Sequence, residues 1–162
     1  MSLDGDGGGT WTIAVRGGAL TTTAAAASGA PDLRVRMSTA DWKAALQGEA
    51  GAPELFPRDV DVGRLLARIP AGGAASPLGK GAVQIGIGNF HGRTWSIALE
   101  VGGAASPAAQ VTLDADTALA LKAGKLDPAS AFFGGKIQLG GDVAWVMQAG
   151  MGFMQGRRGP LN

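Results

Sequence analysis

Asp127-Pro128-Ala129-Ser130-Ala131-Phe132-Phe133-Gly134-Gly135-Lys136-Ile137-Gln138-Leu139-Gly140-Gly141-Asp142 is the stretch on which the fold turns. Proline after aspartate opens a turn, because its ring presets φ and removes an amide. The turn delivers two adjacent phenylalanines. Paired rings are costly to leave in water, so they are expected to floor a pocket or a core. Gly134-Gly135-Lys136 then bends the chain into a short strand with Ile137 and Leu139 on one face. Gly140-Gly141-Asp142 opens an apolar helix, on which Val143, Val146, Met147, Gly150, Met151 and Met154 form one stripe. Trp145 and Phe153 add apolar surface beside that stripe, and Gly150 and Gly152 weaken its last turn.

Outward from this stretch, strands read by alternation. Trp11, Ile13 and Val15 share a face, as do Leu33, Val35 and Met37; Val83, Ile85 and Ile87; Trp95, Ile97, Leu99 and Val101; and Val111 and Leu113. The intervening positions are mostly polar, which predicts antiparallel sheet covered on one side only. Ser38-Thr39-Ala40-Asp41 reads as a capping box, the hydroxyl and the carboxylate both serving first-turn amides of a helix that stops at Gly48. Asp114 starts a similar helix that stops at Gly124. Val62, Leu65, Leu66 and Ile69 give a third, ended by Pro70. Asn89-Phe90-His91-Gly92 reads as a hairpin turn, which is the structural explanation for the single histidine.

The chain repeats itself. Thr10-Trp11-Thr12-Ile13-Ala14-Val15 returns as Thr94-Trp95-Ser96-Ile97-Ala98-Leu99, a spacing of 84 (95 − 11). Val35-Arg36-Met37-Ser38 returns as Val111-Thr112-Leu113-Asp114, a spacing of 76 (111 − 35). The difference falls in the Ala/Thr-rich link from Gly18 to Ala30. The expected organisation is a first half over residues 1–70, a Gly/Ala/Ser/Pro-rich linker over 71–81 and a second half over 82–162. Only ten residues precede Trp11, so the first half is expected to lack a leading helix and a first strand, and Met1 to Gly9 reads as a flexible tail.

Composition narrows the chemistry. Of 162 residues, 46% are hydrophobic and 17% charged, enough apolar material for one domain or two very small ones. A net charge of +1, with only Arg157-Arg158 as a basic cluster, argues against a nucleic-acid partner. Without cysteine there is no disulfide, no thiolate nucleophile and no Cys-based zinc site. One histidine and no Gly-x-Ser-x-Gly elbow leave no hydrolytic triad. Gly73 to Gly81 has the wrong spacer for a phosphate loop, and no Ser or Thr follows Lys80. Asp4-Gly5-Asp6 begins like a calcium loop, but glycines replace the further ligands. The expectation is therefore no catalytic residue, no metal and no cofactor. Met1 to Gly9 has no apolar run of signal-peptide type, and no stretch spans a bilayer; a cytoplasmic location is expected. What remains is apolar: Phe90, Trp95, Phe132, Phe133, Trp145, Met147, Met151, Phe153 and Met154 are the candidate lining of a ligand cavity, against the plain alternative that they form the core.

The second half resembles the sterol carrier protein type 2 (sterol-transfer) domain family. Gly81 to Ile87 is similar to its first strand, His91 to Leu99 to its second, and Val111 to Asp116 to the strand entering its central helix. Gly124-Lys125-Leu126-Asp127-Pro128 through Phe132-Phe133, Gly135-Lys136-Ile137 and Gly140-Gly141-Asp142 is the nearest match. The first half resembles a degenerate copy of the same section, one that packs on the second as a pseudo-symmetric pair. The resemblance implies an α+β fold with a mixed, mainly antiparallel five-stranded sheet and helices on one face. It implies non-catalytic binding or transfer of an apolar lipid (a fatty acid, acyl chain or sterol) in a tunnel between sheet and helices, with Phe132, Phe133 and the last helix as its wall, and transient membrane contact. Two alternatives stand beside it. One is a structural or protein-interaction module, with the same apolar helix as a homodimer or partner interface. The other is an accessory domain of a larger enzyme, against which the missing site residues count.

Overall fold

The structure, a computed structural model, describes residues 1–16, 19–47, 80–106 and 108–148, the side chains of Val15 and Arg16 excepted. The expected helix over Val62 to Ile69, nearly all of the 71–81 linker, and Met151, Phe153 and Met154 lie outside these residues. Among the described residues, nine strands and four helical segments follow in chain order: β1 (Ser2–Asp4), β2 (Gly9–Thr10), β3 (Thr12–Arg16), β4 (Ala19–Thr23), β5 (Leu33–Ser38), α1 (Thr39–Gln47), β6 (Gly81–Phe90), β7 (Arg93–Val101), β8 (Ala108–Asp114), α2 (Ala115–Lys122), α3 (Pro128–Phe133), β9 (Ile137–Gly141) and α4 (residues 143–148).

Seven strands form one sheet in the order β2-β1-β5-β7-β6-β8-β9, and β3 with β4 form a separate ribbon. The α+β class and the mixed, mainly antiparallel sheet agree with expectation: β1-β2, β5-β7, β6-β7 and β8-β9 are antiparallel, β1-β5 and β6-β8 parallel. The strand number does not agree, being seven rather than five. The stretch read as a tail supplies two extra strands, β1 and β2. Strands of three and two residues are too short to show alternation. What holds them is the turn between them: Gly5 and Gly7 adopt φ of 115° and 69°, and the Gly8 amide donates to the Gly5 carbonyl at 2.9 Å. β5 pairs with β7, so strands from before and after residues 48–79 share one sheet.

Register places the apolar residues on one face. Met37, Ile97, Ile85, Val111 and Leu139 form one row across the sheet, continued by Leu3 beside Met37; Val35, Leu99, Val83 and Ala109 form the next; Trp95, Ile87, Leu113 and Ile137 the third. The opposite face carries Arg34, Arg36, Gln84, Thr94, Gln110 and Gln138, all exposed. The described helices cover part of the apolar face. Ala44 and Ala45 of α1 join Met37, Ile87, Phe90, Trp95 and Ile97 in the buried core, with Ala115 and Ala118 of α2 at its margin.

The order reads as two three-strand groups, β2-β1-β5 and β7-β6-β8, each antiparallel then parallel, with β9 at the end. The spacings of 84 and 76 carry one parallel pair onto the other: Ser2 opposite Arg36 becomes Gly86 opposite Thr112, Leu3 opposite Met37 becomes Ile87 opposite Leu113, and Asp4 opposite Ser38 becomes Gly88 opposite Asp114. Each second parallel strand runs directly into a helix capped by its last residue. The Asp41 amide donates to Ser38 Oγ at 3.0 Å, and the Thr117 amide donates to Asp114 Oδ1 at 2.6 Å. The correspondence ends after the tryptophans. β7 continues along β6, whereas Thr12–Arg16 leaves the sheet to pair with β4, which lies inside the link where the two spacings part.

Candidate functional site

The three apolar rows are not equally covered. At the α1 end, Trp95 is 0% exposed and Phe90 1% exposed. Trp95 Nε1 donates to the Asp41 carbonyl at 2.9 Å, which satisfies the indole as burial requires. The Asp41 side chain, expected to cap its own helix, instead pairs with Arg93 and accepts the Ser96 amide at 3.3 Å. The reason is position: α1 lies on β7, and Asp41 faces Arg93 and Ser96 at the third residue of its helix. The Arg93 guanidinium sits 5.1 Å from the Phe90 ring centroid, so Phe90, Trp95 and Asp41 form one buried cluster with Arg93 at its exposed edge.

The Val35, Leu99 and Val83 row is half-buried, as are Ile85, Val111 and Leu139. No polar side chain interrupts it. These residues carry the same alternation signal as the rest of their strands, and nothing in the sequence marks them, rather than the aromatics, as the open part of the face.

The sequence-derived lining residues that the structure describes differ in burial. Phe90 and Trp95 lie buried beneath α1. The turn after Asp127 proves to be a short helix, α3, because the Asp127 carboxylate accepts the Ser130 amide at 2.9 Å and Pro128 occupies its first turn. Phe132 is half-buried, and Phe133 is 83% exposed, the two rings 5.4 Å apart between centroids. On α4, Trp145 is half-buried while Met147 is 45% exposed. Asp142 caps this helix, its carboxylate accepting the Trp145 amide at 2.9 Å, as the sequence suggested. Of the six described candidates, two are thus buried, two half-buried and two exposed; Met151, Phe153 and Met154 lie outside the described residues.

A polar cleft of about 520 Å³ opens where β6 and β8 meet α2, lined by Asn89, Asp114, Ala115, Asp116, Thr117, Ala120 and Lys136. Asp114 is held below the usual carboxylate range, chiefly by the Thr117 amide, with Lys136 adding to the effect. Its carboxylate is committed to capping α2. Among the described residues no three His, Asp or Glu side chains converge as a metal site, and no helix is long and apolar enough to cross a membrane.

A mixed sheet with a single apolar face, roofed in part by short helices, defines the class. The SCP-2 sterol transfer family matches residues 66–153, 88 of the 162 residues (153 − 66 + 1), and the chain belongs to that family. It is a family of lipid binding and transfer. No curated protein matches the chain.

Proposed function

We propose that the protein binds and transfers an apolar lipid without catalysis, holding the acyl chain or ring system against the half-buried part of the sheet face. The observation that carries this reading is the uninterrupted apolar row Val35, Leu99 and Val83, half-buried in a chain of the SCP-2 family. Burial of hydrocarbon supplies the driving force, about 0.8 kcal/mol per methylene. In this reading Trp95 and Phe90 close one end of the chamber beneath α1. Ile85, Val111 and Leu139 are its floor, and Phe132, Trp145 and Met147, with Met151, Phe153 and Met154 beyond the described residues, are its proposed wall. Phe133, at 83% exposure, is not part of it.

We infer further that the first half is a shortened copy of the second. The matched registers of the two parallel pairs support this, as do the equivalent positions of Asp41 and Thr117 (41 + 76 = 117), the two buried polar residues among those described, each 4% exposed. In this reading residues 1–70 and 82–162 are copies that share one sheet and one chamber, joined by the 71–81 linker.

Titration with a fluorescent fatty acid tests the function. Uptake should saturate at one ligand per chain, Leu99→Gln should abolish it, and Leu99→Met should retain it. Equal uptake by all three proteins would contradict the chamber.

A further inference from the structure

The chain around the β1–β2 turn carries two Asp-Gly pairs, Asp4-Gly5 and Asp6-Gly7, and the fold treats them differently. Asp4 ends β1. It is in register with Ser38 of β5, its carboxylate lies 3.8 Å from the Arg36 guanidinium, and a Cβ at Gly5 would stand 3.0 Å from Thr39 Oγ1. Asp6 and Gly7 form the exposed tip of the turn, bracketed by the bond from the Gly8 amide to the Gly5 carbonyl at 2.9 Å. Among the described residues the Asp6 carboxylate meets no donor and the Gly7 amide no backbone acceptor. A Cβ at Gly7 would meet nothing within 4 Å, so the space around this peptide bond is open.

We propose that Asp6-Gly7 is a site of spontaneous isomerisation through a succinimide, and that the change loosens the β2 edge of the sheet. The Gly7 nitrogen attacks Asp6 Cγ: the N–Cγ bond forms, a Cγ–O bond breaks, and the displaced hydroxyl leaves with the amide proton as water. Water then adds at the Asp6 main-chain carbonyl carbon and breaks its bond to the Gly7 nitrogen. The product is isoaspartate, of unchanged mass, with the main chain routed through Cγ and one methylene longer. Water is the only co-reactant. Ring closure needs a nitrogen that no side chain shields and a backbone free to swing, and glycine provides both. The longer chain does not fit the turn. A Cβ at Gly8 would lie 2.2 Å from the Leu3 carbonyl oxygen and 2.8 Å from that of Gly5, so backbone packs on backbone there. Isoaspartate therefore breaks the Gly8–Gly5 bond and frays β2, which pairs only Thr10 with Ser2 and Gly9 with Leu3 before the Trp11 amide reaches the Met1 carbonyl at 2.8 Å. None of this depends on a lipid.

The test is ageing of the full chain in warm neutral buffer over weeks. Enzymatic methylation marks isoaspartate, and fragmentation of the tryptic peptide over residues 1–16 separates the two sites. Isoaspartate should build up at Asp6 to at least about fivefold its level at Asp4. Asp6→Glu should remove the Asp6 share of the methylation signal, because the same attack would have to close a six-membered ring. In the chain unfolded by urea, Asp4 should rise to the level of Asp6, since its protection comes from β5. In the aged fraction, hydrogen exchange of the Gly8 and Trp11 amides should be faster by about fivefold or more, with β7 unchanged. No isoaspartate at Asp6, a methylation signal unchanged in Asp6→Glu, or equal levels at Asp4 and Asp6 in the folded chain overturns the proposal. An Asp4 that stays inert in urea does the same, because the fold is then not what spares it. So does isoaspartate at Asp6 that leaves the exchange of Gly8 and Trp11 as it was, because the turn then takes the extra methylene without loosening the edge.

Discussion

The carboxylate of Asp41, a residue 4% exposed, pairs with the guanidinium of Arg93, 52 residues away, and ties α1 to β7, the central strand of the sheet. The same aspartate accepts the Ser96 amide with its side chain and the Trp95 indole with its carbonyl. Removing it strands a guanidinium and an amide. Arg93 keeps partial access to water, so the cost falls short of that of a fully buried pair. Asp41→Ala should lower stability by about 2 kcal/mol in urea unfolding. A change within error would mean that the pair does not hold α1 to β7.

Trp95 and Trp11 occupy matched places in the sequence but unequal ones in the structure. Trp95 is fully buried and bonded, and Trp11 is half-buried beside β2. Trp95→Ala should therefore cost about 4 kcal/mol, and Trp11→Ala distinctly less. Equal losses would place both rings in comparable cores, against the burial seen here.

Gly141 and Gly135 both adopt positive φ, 72° and 71°, yet only one is crowded. A Cβ at Gly141 would lie 2.4 Å from the Ala108 carbonyl oxygen, a backbone atom that cannot swing aside, while one at Gly135 would meet nothing within 4 Å. Gly135→Ala should cost about 1 kcal/mol, the strain of the backbone alone. Gly141→Ala adds the clash between β9 and β8 and should cost about 3 kcal/mol. Thermal unfolding of the two variants compares them directly, and the reverse order would contradict the β8–β9 register.

Asp114 is held below the ordinary carboxylate range by the Thr117 amide that it caps. A carboxylate with a depressed folded pKa contributes stability above its unfolded value. That contribution is lost as pH falls through the folded value. Asp114→Ala should cost about 1 kcal/mol near neutrality, and the difference from the parent protein should shrink in acid below the usual aspartate range. A gap that persists unchanged into strong acid would assign the loss to packing.

How much of this was legible beforehand follows from length and locality. β6, β7 and β8 are long enough for Val83, Ile85 and Ile87, or Trp95, Ile97 and Leu99, to announce their face. β1 and β2 are not, and their glycines and aspartates read as a tail. The caps at Ser38, Asp114 and Asp142 were visible because each acceptor immediately precedes its helix. The fate of Asp41 was not, because its partner Arg93 is 52 residues distant. The burial of Trp95 and Phe90 beneath α1 is not legible either, because hydrophobicity does not record what covers a residue. Phe133 shows the converse: pairing with Phe132 suggested an inward position, and only the burial of Ala131 fixes the ring outward.

Native mass spectrometry of the purified protein, followed by extraction and identification of what it carries, bears most directly on the carrier reading. One apolar lipid per chain, lost from the Leu99→Gln protein, is the predicted result. A chain that arrives empty and gains no mass after incubation with a long-chain fatty acid would contradict it.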